Sequence, residues 1–537
     1  MKRKNRDEIS IEYVFRQIKT TWPHLKNFKI QKVLKTILGL GFQQSTFPSI
    51  ENQGLMSLAK LLIDHENALD LAGILELAIE YNKTEVVEIV LSHDVNIEAK
   101  LPRSCLTPIE LSTTKCLSEM TKLLISEGAC VETKNINGLT LLQQAIVNKE
   151  IELIKILINH GANIHTKGKN ERPLILSLEN GLLEVAKLLI KNGANINTKS
   201  SWNSTPLHIC LEKGYHEMAK SLIFKSASLE SIDNDYVTPL HLAVQNGDKE
   251  IVKLLIDKKV SPNPATWAGF TPLHDAAIEG STEIARILLE AGAKTETQNI
   301  HGNFPIHEAV LKNHLDIVKL LLENGANVNQ TGKSNQTPLH FASSNCFLDL
   351  AKILLKNGAN VDSELPDKST PLIHALRSKQ AKKSEMCKLL IDSGANVNVK
   401  YGLYGFTPLH ISVHQENMQV CKYLILNGAN VNTRLSGLPG NTPLYQAILV
   451  VSLEICRLLI SAGADMNVRN SRGETLLHQL IGYFPESSKT RLIIQLFIQS
   501  GADLNSKNSD LRMPEELALQ NENIGMVKFI NWCKSQI

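Results

Sequence analysis

Apolar positions along this chain fall into two alternating groupings. In one, residues three apart share the face of a short helix, as Leu240 and Ala243 or Leu273 and Ala276 do. In the other, apolar pairs return at helical period, as in Ile251, Val252, Leu254 and Leu255 or Ile317, Val318, Leu320, Leu321 and Leu322. Neither grouping alternates residue by residue, so both predict amphipathic helices rather than strands. The groupings come in pairs, and most pairs start 33 residues after the one before. A helix pair of this size cannot bury its apolar face alone, so the pattern predicts a stacked array whose working part is a long surface rather than a pocket.

The residues at the helix ends fit this reading. Clear openings stand at Thr205, Thr238, Thr271, Thr337, Thr370, Thr407 and Thr442, each followed by Pro; weaker ones stand at Thr107, Thr140, Arg172, Phe304 and Thr475. A Thr hydroxyl can cap an orphan amide, and Pro in the first turn has no amide to satisfy and a suitable φ. The second helices end at Gly292, Gly325, Gly358, Gly394, Gly428 and Gly463, as a left-handed C-terminal residue requires. Short stretches such as 299–303 supply tight turns between pairs. A degenerate unit at 73–94 precedes the twelve readable ones, and a shortened unit at 513–533, with Trp532 expected to close the core, follows them.

The Thr-Pro-Leu-His openings, the paired helices and the Gly-Ala-Asn-Val-Asn endings together resemble the ankyrin repeat, over residues 70 to 535. The resemblance implies an all-α fold, an ankyrin-like α-solenoid of stacked helix-turn-helix repeats with short β-turn fingers. It also implies a concave face lined by fingers and first helices. His208, His241, His274, His307, His340 and His410 occupy the fourth position of the opening. There the resemblance implies a hydrogen bond to the neighbouring turn instead of a catalytic role. Tyr236 and Lys368 replace the usual turn Gly or Asn, and Arg172 and Phe304 replace the capping Thr. These departures touch local turn geometry and not the fold.

Composition narrows the class. A chain of 537 residues would ordinarily suggest several globular domains, but a repeat array extends its core along one dimension. Lys and Arg total 57 against 54 Asp and Glu, and the net charge of +3 argues against a bulk polyanion binder, so nucleic acid is not the expected partner. The nine cysteines lack paired metal spacing, and Cys387, Cys421 and Cys456 recur at one position of successive second helices. They read as small buried hydrophobes in a reducing compartment. No apolar leader opens the chain, and the most apolar run, 444–460, carries Glu454 and Arg457, so no membrane span is expected.

Three segments emerge. Residues 1–68 read as a basic helical N-terminal cap or small module, with Lys2, Arg3, Lys4 and Arg6 ahead of two amphipathic stretches. A cap over the first repeat, a nuclear-import or anionic-surface signal, and a partner-binding module are the alternatives for it. Residues 69–508 read as an ankyrin-like array of some thirteen units, and 509–537 as a C-terminal capping repeat.

No His-x-x-x-His helix with a third ligand, phosphate-cradling glycine loop or Gly-x-Ser-x-Gly elbow is present in the sequence. Neither catalytic residues, a metal, a cofactor nor a small-molecule substrate is therefore expected. Surface recognition remains. Aromatics make up 5% of the chain, yet Trp202, Trp267, Phe270, Tyr404 and Phe406 stand just before openings, as does His301. Trp and Tyr at finger tips are the side chains that most often anchor a partner. Length changes at 377–385, 433–441 and 482–490 add surface loops, and Arg377, Lys379, Lys382 and Lys383 in the first could meet an acidic partner. The expected function is a non-enzymatic, monomeric intracellular scaffold or adaptor that binds proteins along its concave face, in the cytoplasm or the nucleus. A parasite, symbiont or viral effector acting on host proteins in the host cytoplasm is the alternative, and a ubiquitin-ligase substrate adaptor a third reading.

Overall fold

The computed structural model describes residues 70–166, 172–438 and 440–535. The expected N-terminal cap or module at 1–68 lies outside the described residues. Among those described there are 28 α-helices, arranged in consecutive pairs from Leu71–Glu80 with Thr84–Leu91 to Pro514–Gln520 with Ile524–Lys534. The fold is an all-α ankyrin solenoid, with no strand among the described residues beyond isolated bridges in the fingers at Lys134 and Thr140, Tyr401 and Phe406, and Arg469 and Thr475. The chain divides into two compact units, Met1–Leu242 and Ala243–Ile537, and the division falls inside the helix Pro239–Gln245.

One helix pair of the second unit shows how the sequence builds the others. Thr271 is extended, at φ −101° and ψ 164°, and Pro272 occupies the first turn of the helix Pro272–Glu279. That helix buries Leu273, Ala276 and Ala277 completely and stops where Gly280 adopts φ +77°. The second helix, Thr282–Glu290, buries Ile284, Ala285 and Leu288. Each buried Leu or Ile contributes roughly 2 kcal/mol by leaving water. Gly292 (φ +90°) then donates its N–H to Leu289 O and Ala293 donates to Leu288 O, both at 2.9 Å, which is the paired closure of a Schellman turn. A Cβ on Gly292 would meet nothing within 4 Å, so the positive φ and not crowding selects glycine there.

The first-position Thr caps its helix at Thr205, Thr407 and Thr442, whose hydroxyls accept the N–H three residues on at 3.5, 3.5 and 3.4 Å. At Thr205 and Thr407 the histidine ring adds a second contact. At Thr271 and Thr337 the hydroxyl meets that ring closely. It lies 2.9 Å from Nδ1 of His274 or His340, and the same nitrogen accepts the Thr N–H at 3.2 Å. At Thr107 and Thr140 the side chains of Glu110 and Gln143 take the place of the histidine ring in the capping box. Arg172 has no cap bond, and the Phe304 amide is taken by His307 Nδ1 at 3.2 Å.

Within each compact unit, successive repeats are tied together by the far side of the same ring. Nε2 bonds to the following finger from His208 to Val237 O (3.1 Å), His274 to Asn303 O (3.2 Å), His307 to Gln330 O (3.1 Å) and His478 to Arg512 O (3.0 Å). Because Nδ1 accepts an amide, the proton resides on Nε2 and the ring is neutral. In the degenerate first pair the buried Glu76 does this work, accepting from the amides of Arg103 and Ser104. The sequence reading missed it, because a carboxylate does not match the phrase. Cys210, Cys387, Cys421 and Cys456 are wholly buried, and burial pushes their thiols up to about 12, 12, 11 and 12. Trp532 does not close the core. It is 50% exposed and stacks on Phe529 at 6.0 Å, while Met526, Ile530 and Cys533 make the inward stripe. Its position, one before Cys533, turns it about 100° off that stripe. No helix among the described residues is long and apolar enough to cross a membrane.

Candidate protein-binding surface

The fingers are hairpin-like turns whose tips are fixed by their own backbone and by the next finger. In the first unit Ser200 donates its N–H to Ser204 O (2.9 Å), which presents Trp202 between them. The Trp202 carbonyl accepts the Asn234 N–H at 3.1 Å, and Asn203 Nδ2 reaches Ile232 O at 2.8 Å. Trp202 itself is 72% exposed, and Tyr236, at φ +60° on the next finger, is exposed as well. Tyr236, which stands where the turn usually has Gly or Asn, adds its side chain to the surface.

The second unit repeats the arrangement. Thr266 donates to Phe270 O (2.9 Å) and holds up Trp267, which is 71% exposed. Ile300 donates to Ala268 O at 2.9 Å, so its exposed side chain and that of His301 follow on the adjacent finger. Farther along, Tyr401 and Phe406 exchange two backbone bonds at 2.8 and 2.9 Å, and Leu403, 88% exposed, and Tyr404 form the tip. Ile300 and Leu403 were absent from the expected site, since an isolated aliphatic in a turn carries no sequence signal.

The two phenylalanines do not stand at tips. Phe270 is half-buried, edge-on to its own His274 (5.7 Å between centroids) and to His301 (6.1 Å). Phe406 is likewise half-buried, between Tyr404 (6.3 Å) and His410 (6.2 Å). Both lie one residue before the Thr, where the finger turns down onto its helix, so they brace the tips. The structure thus gathers Trp267, Phe270 and His301 on adjacent fingers, places Tyr404 and Phe406 on one finger, and leaves Trp202 in the other unit.

Lys379 and Lys382 lie in the lengthened connection between the helices Pro371–Arg377 and Lys383–Asp392, and Arg377 and Lys383 are the helix ends that flank it. Arg377 lies over the Tyr401 ring, 5.4 Å from its centroid. Lys379 and Lys382 are exposed, and Lys383 Nζ donates to Gln415 Oε1 at 2.9 Å. On the finger side of the same helix His374 bridges two hydroxyls, Ser344 Oγ at 2.8 Å and Ser369 Oγ at 3.3 Å. Burial and the Arg377 charge hold His374 below its ordinary range. Among the described residues no three His, Cys, Asp or Glu side chains are grouped to hold a metal ion.

Against known proteins, the family description "Ankyrin repeats (3 copies)" matches in overlapping stretches that run without a break from residue 109 to 470. Among curated proteins, 79 residues are 32% identical to the glycerophosphocholine phosphodiesterase gde1 of Schizosaccharomyces pombe, 15% of this chain and 7% of that protein. The chain therefore spans a small fraction of the length of that relative. The family match covers well over half of the sequence and agrees with the helix pairs, Schellman turns and stacked fingers, so the chain belongs to the ankyrin-repeat family.

Proposed function

We propose that this chain is a non-enzymatic scaffold or adaptor that docks protein partners on the face made by its fingers and first helices. The observation that carries the reading is the exposure of Trp202 and Trp267, 72% and 71%, at tips whose backbone is pinned on both sides. A soluble chain gains nothing from rigidly displayed indoles, whereas partner surfaces use them as anchors. Ankyrin repeats serve protein–protein interaction, which supports the same reading. The phosphodiesterase match does not alter it, because it reaches 7% of that protein.

Trp202, Trp267, His301 and Tyr404 are assigned partner contact; Phe270 and Phe406 position them; Arg377, Lys382 and Lys383 form a second contact region. Residues 1–68 are assigned as a cap or small module, 69–508 as the repeat array and 509–537 as its closing repeat. A monomer in the cytoplasm, with access to the nucleus, fits nine unpaired cysteines, most of them buried. The test is affinity capture from the native cell with the intact chain and with Trp202→Ala/Trp267→Ala. Capture of specific partners should fall at least about tenfold at unchanged helicity, as loss of two anchors requires. An unchanged set of partners would overturn the assignment.

A further inference from the structure

Resting on the reading above, we propose that the surface running from the finger 401–406 to the connection 378–382 binds an acidic segment of a protein partner. Its carboxylates meet Arg377, Lys379, Lys382 and Lys383, and an apolar side chain of the same segment lies on Leu403 and Tyr404.

Charge pairing carries the argument. On four second helices a lysine is neutralised in place, Lys155 by Glu152 (2.6 Å), Lys187 by Glu184 (2.7 Å), Lys319 by Asp316 (3.0 Å) and Lys352 by Asp349 (3.2 Å). Cations without an ion pair among the described residues, such as Lys122 and Lys422, stand singly. Among the described residues none of the four cations at 377–383 has an ion-pair partner. Four positive side chains within seven residues repel one another, and a local excess of this kind is satisfied by a carboxylate from outside.

The patch is also organised before any partner arrives. Arg377 is laid on the Tyr401 ring, and a guanidinium held on an aromatic face keeps its in-plane N–H fork available for a carboxylate. The base of the connection is anchored: Ser378 is buried, and its Oγ accepts the Gln380 N–H at 3.2 Å and the Cys346 thiol at 3.4 Å. Lys383 is tethered to Gln415 on the next pair. Ordering side chains beforehand lowers the entropy cost of binding. Tyr401, under Arg377, opens the finger that carries Leu403, the most exposed large apolar side chain described, so Arg377 links the charged connection to the apolar finger. A bilayer surface or a nucleic acid would be drawn by a broad positive field, whereas this chain is close to neutral at +3 and its excess is local.

The test uses the full chain and a labelled synthetic peptide, glutamate-rich with a single leucine, followed by fluorescence anisotropy at low and physiological salt. Arg377→Gln/Lys382→Gln/Lys383→Gln and, independently, Lys379→Glu/Lys382→Glu should each weaken binding about tenfold or more. Lys155→Gln/Lys187→Gln/Lys191→Gln, which matches the triple glutamine variant in net charge but lies elsewhere, should stay within about twofold of the parent, and Leu403→Ser should cost about threefold. Equal binding by the patch variants, equal loss in the distant variant, or equal binding of a glutamine-for-glutamate peptide would each overturn the proposal. So would binding of phosphatidylserine vesicles or single-stranded DNA that depends on the patch while the peptide is ignored. If the peptide ignores the patch but Trp202→Ala/Trp267→Ala still abolishes partner capture, this proposal falls alone and the scaffold reading stands.

Discussion

The side-chain amide of Asn398 donates to the Gly428 carbonyl across 3.0 Å, joining the end of one finger to the helix stop of the next unit. Its Oδ1 simultaneously accepts the Asn430 N–H at 2.8 Å. Asn263 repeats this on Gly292 and Lys294, Asn329 on Gly358 and Asn360, and Asn432 on Gly463 and Asp465. The last Asn of the Gly-Ala-Asn-Val-Asn phrase, kept at Asn263 where the phrase reads Lys-Val-Ser-Pro-Asn, is thus a staple between successive repeats, and the glycine it reaches is both a helix stop and a staple site.

Asn398→Ala removes both bonds and should lower stability by about 1 to 2 kcal/mol, since each exposed bond contributes about 0.5 to 1. Urea unfolding reads the loss, and amide exchange places it: the Asn430 N–H should lose protection while amides in the helix Pro408–His414 keep theirs. Unchanged protection at Asn430 would show that the staple carries no weight.

Helix pairs and caps were legible in the sequence because each follows from local chemistry: apolar period, Pro in the first turn, Gly at the stop. What escaped depended on neighbours in space. That Glu76 serves the amides of the finger at 103–104 requires knowing that its carboxylate points along the stack. Phe270 and Trp267 stand three apart in one finger, and only the course of the backbone decides that one braces and the other projects. The direction of Trp532 was calculable from its spacing to Met526 and Ile530, and went wrong because the last repeat has no following unit to compare with.

A cleaner dissection of the histidine link is available because His274 and His340 match on one side of the ring. Both accept the Thr N–H at 3.2 Å and sit 2.9 Å from the Thr hydroxyl through Nδ1. They differ at Nε2, which reaches Asn303 O from His274 but is buried without a partner in His340. His274→Leu should therefore destabilise by about 1 to 2 kcal/mol more than His340→Leu, the former orphaning a buried carbonyl and the latter removing a buried orphan donor. Equal costs in denaturant unfolding would mean that the bond between units contributes nothing.

Buried neutral histidines also set an acid limit. Burial pushes His307, His340 and His410 down to about 4, from an ordinary 6.5. The folded value lies below the unfolded one, so their contribution is complete above pH 6.5. It is lost as pH falls toward 4, because the unfolded chain takes up the protons first. A shift of this size corresponds to roughly 3 kcal/mol for each ring. The midpoint of thermal unfolding should fall steeply from pH 6.5 to 4, and His340→Leu should make the fall shallower. A midpoint independent of pH over that interval would contradict neutral burial.

Asp275 acts with the opposite sign and bounds the range from above. Its side chain is 6% exposed, and Oδ2 is buried without a hydrogen-bond partner. Burial, with the nearby Glu279 charge adding to it, pushes the carboxyl up to about 7, against a hydrogen bond with Gln245 that pulls the other way. The folded value here lies above the unfolded one near 3.8. Stability is therefore complete below pH 3.8 and is lost as pH rises toward 7, where the buried carboxyl must either ionise or keep its proton at a cost. Asp275→Asn removes the ionisation and nearly keeps the shape. At pH 8 it should raise stability by an amount on the order of 2 kcal/mol or more, and at pH 4 it should change little, because both side chains are then neutral. Urea midpoints at the two pH values measure the difference directly. A gain of the same size at both would assign the effect to packing, and a loss at pH 8 would mean that the Asp275 carboxylate is satisfied in the folded chain.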